Sequence, residues 1–250
     1  VRLPEIRESL YSLQIQDGIY DEFGSSIMVK KPLKSMITIA AIGAGMALAS
    51  PAPVDAAKAV QSFFNSKEIR SSNLKPFKKW TGALLRYSKE VALHKSGNCK
   101  SKEFNACHYK AWMKFLVSIK DKDKISQIKA VNAYMNRAKY ITDSRNWGQK
   151  DYWASPGQFM EKFGDCEDYA IAKFMSLKLL GFSSDMLRVA AVKDLNLKVG
   201  HAILVVIVDG KYFLLDNQIK QVVETKTVRH YRPVFSISTQ YWWRHRLSAR

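Results

Sequence analysis

Asp209-Gly210 stands between two runs rich in β-branched and aromatic residues, 202–208 and 212–215. An Asp-Gly pair in that setting reads as a two-residue hairpin loop, because both of its positions can take positive φ. Such a loop pairs Val208 with Lys211, and the rest of the register follows. Asp216 then lies opposite Ile203, and His201, two residues from Ile203, shares its face. Diagonal neighbours in an antiparallel pair sit about 7–8 Å apart at the backbone, within side-chain reach. The sequence therefore predicts a His201–Asp216 pair, which a one-residue slip in register would destroy. A further run at 187–192 has the same β character.

Upstream lies Gly164-Asp165-Cys166-Glu167-Asp168-Tyr169-Ala170, followed by an apolar pattern of helical period to Leu180 and a stop at Gly181. Asp165 is the expected N-cap, with Asp168 in the first turn. A cysteine at a helix N-terminus meets the positive end of the helix dipole, which favours thiolate. The competing reading is a buried structural thiol. For His201 and Asp216 the competing readings are a satisfied histidine at a strand end and a turn residue beside Asn217. Taken together, the three side chains point to acyl transfer. Cys166 is the expected nucleophile, His201 the general base and then acid, and Asp216 the group that holds the imidazole tautomer. Backbone N–H groups at the start of the helix, including that of Cys166, are candidates to hold the oxyanion.

Before this stretch the chain reads as helical, with apolar stripes over 80–93, 110–119 and 125–140. Residues 143–157 form a polar, aromatic loop carrying Trp147, Tyr152 and Trp153, which either wall a substrate groove or cap the core. Ser155-Pro156 is an N-cap followed by proline at the first helical position, so a short helix should run to about Phe163. Helices first and strands after make the expected fold class α+β, a helical N-terminal half packed on an antiparallel sheet.

Residues 28–49 have a basic start (Lys30, Lys31, Lys34), an uncharged apolar run from Met36 to Leu48, and Ala47-Leu48-Ala49. That is the form of a signal peptide, too short for a comfortable membrane span, with cleavage expected after Ala49 or, second, after Ala56. The alternative is an uncleaved anchor. Residues 1–27 lack this character and are expected to be upstream sequence from a misplaced start. Residues 50–75 are expected to be a linker and 76–250 the folded domain. Export bears on the three cysteines: Cys99 and Cys107 could pair across a short loop in an oxidising compartment, leaving Cys166 as the odd thiol. Lys and Arg number 40 against 22 Asp and Glu, a net +18 that residues 1–49 do not alter. That balance suits an acidic or polyanionic partner. No zinc-finger spacing, RNP-like aromatic motif or helix-turn-helix supports nucleic acid as that partner.

The motif around Cys166, together with Gly200-His201-Ala202 and Leu215-Asp216-Asn217, resembles the bacterial transglutaminase-like cysteine proteinase family. The resemblance runs from Trp147 to the segment Arg232-Pro233-Val234-Phe235-Ser236, and includes Asp151-Tyr152-Trp153 and Pro156. It implies a papain/transglutaminase-like core with Cys166, His201 and Asp216 as the triad. The periplasmic branch of that family further implies calcium dependence, with Asp165 and Glu167 at the ligand positions. As substrate it implies the N-terminal region of a large, repeat-built surface adhesin, and as partner an inner-membrane cyclic-di-GMP receptor. Clustered carboxylates repel one another unless a cation neutralises them, and Ca2+ prefers oxygen ligands. They could instead merely cap the helix and meet Lys or Arg. Ala202 departs from the methionine usual in the adhesin-processing branch, and the tail after Ser236 is strongly basic and aromatic. Two other functions fit the same residues: transglutaminase or amidase chemistry on cell-wall peptides, and a non-enzymatic periplasmic binding module.

Overall fold

The structure, a computed structural model, describes residues 63–95 and 106–247. Its helices are α1 (Lys78–Lys95), α2 (Ala106–Ile119), α3 (Lys124–Met135), α4 (Asp143–Trp147), α5 (Pro156–Lys162) and α6 (Cys166–Leu179). Its strands are β1 (Ser66–Ser71), β2 (Leu187–Asp194), β3 (Gly200–Val208), β4 (Lys211–Leu215), β5 (Val223–Glu224), β6 (Tyr231–Ile237) and β7 (Trp242–Leu247). They form one antiparallel sheet in the order β1-β7-β6-β2-β3-β4-β5. The α+β expectation holds, with edge strand β1 ahead of the helices and the other strands after them.

The β3–β4 hairpin has the register its loop demands, with Val208 opposite Lys211 and Leu204 opposite Leu215. Asp209 at φ 49° and Gly210 at φ 72° carry the turn. Asp216 is the next residue after β4, so it falls where the register puts it.

One face of the sheet meets the helices. Trp80, Trp112, Leu116, Ile128, Phe159, Phe174, Leu204 and Val206 lie together in that core. A smaller cluster of Phe63, Val192, Ile203, Val205, Leu214 and Tyr231 covers the other face. Between helices and sheet runs α6, buried from Glu167 to Leu179. A helix apolar all round belongs in the middle of a protein. Its few polar side chains need partners there: Ser176 Oγ accepts from Trp112 Nε1 at 2.9 Å and donates to Ala172 O at 2.7 Å.

Two boundaries differ from expectation. The helix expected over 125–140 ends at Met135, because Asn136 turns out of it and donates its side-chain amide to Asp216 O at 2.7 Å. The freed segment then crosses to the start of α6, where Tyr140 bridges Gly164 and Ile141 N donates to Gly164 O at 2.9 Å. The expected linker at 50–75 is in part structured. Phe63 is buried, Ser66–Ser71 pairs with β7 as an edge strand, and Ser66 bonds the buried His245 at 2.7 Å. The signal segment, its cleavage positions and the Cys99–Cys107 pair lie outside the described residues or side chains. No helix among the described residues is long and apolar enough to cross a membrane.

Candidate active site

Cys166 opens α6, with Asp165 as its N-cap. Gly164 is required just before it: a Cβ there would run into the Asp168 carboxylate. That carboxylate folds back over the helix start. Its Oδ1 accepts from Ala154 N at 2.7 Å and its Oδ2 from Asp165 N at 3.2 Å. Asp168 thus ties the loop before α5 to the turn that presents Cys166.

His201 and Asp216 are both buried, and His201 Nε2 lies 2.8 Å from Asp216 Oδ1. Asp216 also accepts from Gln218 N at 3.0 Å and from Tyr231 Oη at 2.7 Å. Burial works to raise the Asp216 acid, but the hydrogen bond and charge of His201, with the bonds from Gln218 N and Tyr231, outweigh it and hold this carboxyl below its ordinary range. With Nε2–H donated to a carboxylate, Nδ1 is left as the basic nitrogen, and Gln218 Nε2 lies 3.4 Å from it. The backbone N–H of Ala202, next after His201, is directed at the Cys166 sulfur and favours thiolate. His201 and Asp216 therefore meet at the start of β3 and the end of β4, and the Ala202 N–H brings the start of β3 to the Cys166 end of α6.

Around the sulfur, burial and neighbouring acids oppose the thiolate that the helix dipole favours. Burial pushes the Cys166 thiol up, and the adjacent Glu167 carboxyl, which accepts from Sγ at 3.1 Å, pushes it further. The Ala202 N–H works against both. The acids come from three segments: Asp143 at the start of α4, Asp151 in the loop after it, and Asp165 and Glu167 around the cysteine. Ligand oxygens of Asp143, Asp151 and Glu167 lie within 4.8 Å of one another, as do those of Asp143, Asp165 and Asp168. Burial and then the nearby Asp165 raise Glu167 to about 8, and burial raises Asp143 to about 6 with Asp165 and Asp151 adding to it.

A family profile for the bacterial transglutaminase-like cysteine proteinases matches residues 94–245. The chain belongs to that family. Among solved structures this bacterial transglutaminase-like cysteine proteinase is similar to LapG of Legionella pneumophila, at 30% identity over 55% of this chain and 77% of LapG, with a TM-score of 0.51. Calcium-bound LapG matches at 28% identity over 59% and 82% of the two chains, and EGTA-treated LapG at 30% over 55% and 75%, each with a TM-score of 0.51. No match is found among curated proteins. The protein is a cysteine peptidase of LapG type.

In this proteinase the aromatic loop braces itself rather than filling the core. The Trp147 and Tyr152 rings are 4.6 Å apart, Lys162 covers Trp147 at 4.4 Å, and Arg86 covers Tyr152 at 4.7 Å. Trp153 is half-buried at the edge of the helical core and donates Nε1 to Asp151 Oδ1 at 3.0 Å. The residues that sequence reasoning missed are Asp143, Asp151, Gln218, Tyr231 and Asn136. Two acids in an otherwise polar loop were the available signal for the first pair. Gln218 lies two residues past Asp216 in a turn that carries no signal of its role, and Tyr231 and Asn136 reach Asp216 from 15 and 80 residues away.

Proposed function

We propose that the protein is a periplasmic, calcium-dependent cysteine endopeptidase that cleaves the N-terminal region of a large acidic surface adhesin and so controls biofilm attachment. The observation that carries the reading is the buried His201–Asp216 pair beside a cysteine at the first turn of a buried helix. On this reading His201 Nδ1 takes the Cys166 proton as sulfur attacks the scissile carbonyl carbon. The backbone N–H of Cys166, at the start of α6, would stabilise the oxyanion. The imidazolium, held through Nε2–H by Asp216, then gives its proton to the leaving amine. Water, deprotonated by the same nitrogen, attacks the thioester and releases the acid product and the free thiol.

The carboxylate cluster fits a hard cation. Asp143 Oδ1 and Asp165 Oδ1 are buried and have no hydrogen-bond partner among the described residues, although each carboxylate's other oxygen accepts from a backbone N–H, of Tyr152 and Asp143 respectively. Asp143, Asp151, Asp165 and Glu167 would hold Ca2+, which would neutralise the acids that now oppose ionisation of the thiol. That relatives were solved both calcium-bound and EGTA-treated supports the assignment. A net +18 chain suits an acidic protein substrate. Sequestration by an inner-membrane cyclic-di-GMP receptor belongs to the same reading.

The test is incubation of the purified protein with an adhesin N-terminal fragment from the same genome, with and without a calcium chelator, wild type against Cys166→Ala. Cleavage that needs both the thiol and the ion is expected. Cleavage by Cys166→Ala would remove the nucleophile assignment, and cleavage unaffected by chelation would remove calcium.

A further inference from the structure

The loop that joins β2 to β3 leads straight into Gly200-His201. Its Leu195, Leu197 and Val199 side chains are 40%, 59% and 51% exposed. Seven large apolar side chains stand exposed among the described residues, and this one loop holds three of them. Its backbone is fixed from within. Asp194 N donates to Val199 O at 2.9 Å, and Leu195 N to His230 O at 2.8 Å. The buried Asp194 carboxylate accepts from Asn196 N at 2.8 Å and from Leu197 N at 3.0 Å. Nothing in this framework calls for apolar side chains, and apolar side chains gathered on a surface mark a place of contact.

Position says what the contact is. Val199 is two residues from His201, so their Cα atoms lie within about 7 Å. A general base must come within about 3 Å of the groups it serves. A polypeptide bound for cleavage therefore carries the residues beside its scissile bond past this loop. On the cysteine's flank the exposed Tyr140 bridges Gly164, two residues before Cys166.

Gly200 is a second and independent sign. Its φ is not positive, and a Cβ built on it meets nothing within 4 Å. Neither backbone nor packing requires glycine there, and in a strand glycine costs stability. What it does provide is bare backbone that another chain can approach closely.

We infer that Leu195, Leu197 and Val199 form a subsite for an apolar side chain of the substrate beside the scissile bond, with Gly200 giving the substrate backbone room to approach. The inference rests on the triad and endopeptidase readings above and adds the class of residue the enzyme accepts. The apolar requirement is local to the cleavage point and leaves the charge of the rest of the substrate to the basic surface.

The test uses the full chain and a readout that needs no adhesin: the rate of Cys166 alkylation, followed by peptide mass spectrometry. Three reagents share one chemistry: iodoacetamide, N-hexyl iodoacetamide, and an iodoacetamide with an ether tail of the same length. Rates with the tailed reagents are divided by the iodoacetamide rate, so a change in the thiol itself cancels. In wild type the hexyl tail should react about tenfold faster than the ether tail. With Leu195→Ser, Leu197→Ser and Val199→Ser combined, the two tails should approach parity. Leu85→Ser, which removes an exposed leucine from α1, should keep the wild-type preference. Gly200→Ala should melt no lower than wild type yet slow both tailed reagents relative to iodoacetamide. A wild type indifferent to the tail, or a preference that the triple variant keeps, overturns the inference. Should the triple variant not melt cooperatively, Leu197→Ser alone decides in the same way. Gly200→Ala that accepts the tails as wild type does removes Gly200 from the subsite. If His201→Ala reacts with iodoacetamide as wild type does at every pH, the triad itself fails. That result is separate from a lost or retained preference between tails.

Discussion

At the scale of single residues, the site depends on groups whose partners are already committed. Asp216 spends its oxygens on His201, Gln218 and Tyr231. Asp216→Asn keeps the shape but can turn its amide N–H toward Nε2, which moves the imidazole proton to Nδ1 where the thiol proton must go. On the proposed mechanism kcat should fall by about 10³–10⁴ with little change in melting temperature, measured by steady-state cleavage and thermal denaturation. An Asn variant within tenfold of wild type would show that the carboxylate does not hold the tautomer. Gly164 makes a different demand. A Cβ there meets Asp168, whose carboxylate holds Ala154 N and Asp165 N. Gly164→Ala should lose about 1–3 kcal/mol in chemical denaturation. It should also slow Cys166 alkylation, because the turn presenting the thiol is displaced.

At the scale of elements, α1 and α5 are joined by a buried acid. Glu90 accepts from Ser155 Oγ and, at 2.9 Å, from Gly157 N, beside Arg86, which donates to Gln158 Oε1 at 3.0 Å. Burial raises Glu90 from 4.5 to about 7, against the pull of Ser155 and Gly157. Between those values the unfolded chain has released this proton and the folded chain has kept it. The group's contribution to stability therefore falls as pH rises from about 4.5 to 7. The span is on the order of 3 kcal/mol. Glu90→Gln, which cannot titrate, should flatten the wild-type decline across that window in denaturation curves taken at pH 4.5 and 7.5. Parallel slopes for the two proteins would contradict the linkage.

The same scale shows what the sequence could disclose. The β3–β4 register, the Ser155-Pro156 cap and the start of α6 are set by residues within a few positions of one another, and all three appear where the pattern puts them. The end of α3 is not local. Asn136 leaves the helix to bond Asp216 O, 80 residues away, so tertiary packing overrides a helical period that continues to 140. Edge strand β1 was hidden for a related reason. Ser66–Ser71 has little β character of its own and is held by pairing with β7 and by the contacts of Ser66 with His245 and of Glu68 with Arg188. The His–Asp half of the site was legible because one hairpin carries it. The acid cluster was legible only around Cys166, since Asp143 and Asp151 arrive by closure of a loop whose destination the sequence does not state.

At the scale of the whole molecule, that closure makes the carboxylates a joint between the helical half and α6. Four acids from three segments, two of them with a buried oxygen unanswered, bring together negative charge that protons relieve at low pH and a cation would relieve at higher pH. Calcium must displace the protons to bind. With Asp143 raised to about 6 and Glu167 to about 8, proton competition weakens as pH climbs through that interval. Affinity for Ca2+, measured by calorimetry at fixed ionic strength, should therefore rise from pH 5.5 to 8.5 and level off above it. Calcium at about a hundred times its Kd should stabilise the fold by about 2.7 kcal/mol. The chelated protein should melt lower by the corresponding amount, with the gap widening as pH increases. Asp143→Asn removes one proton competitor and one ligand together, so it should bind more weakly and show a smaller change with pH. A calcium affinity that is flat across this interval would mean that the ion, if it binds, does so away from Asp143 and Glu167. The burial that raises these acids would then be balanced by something other than a metal.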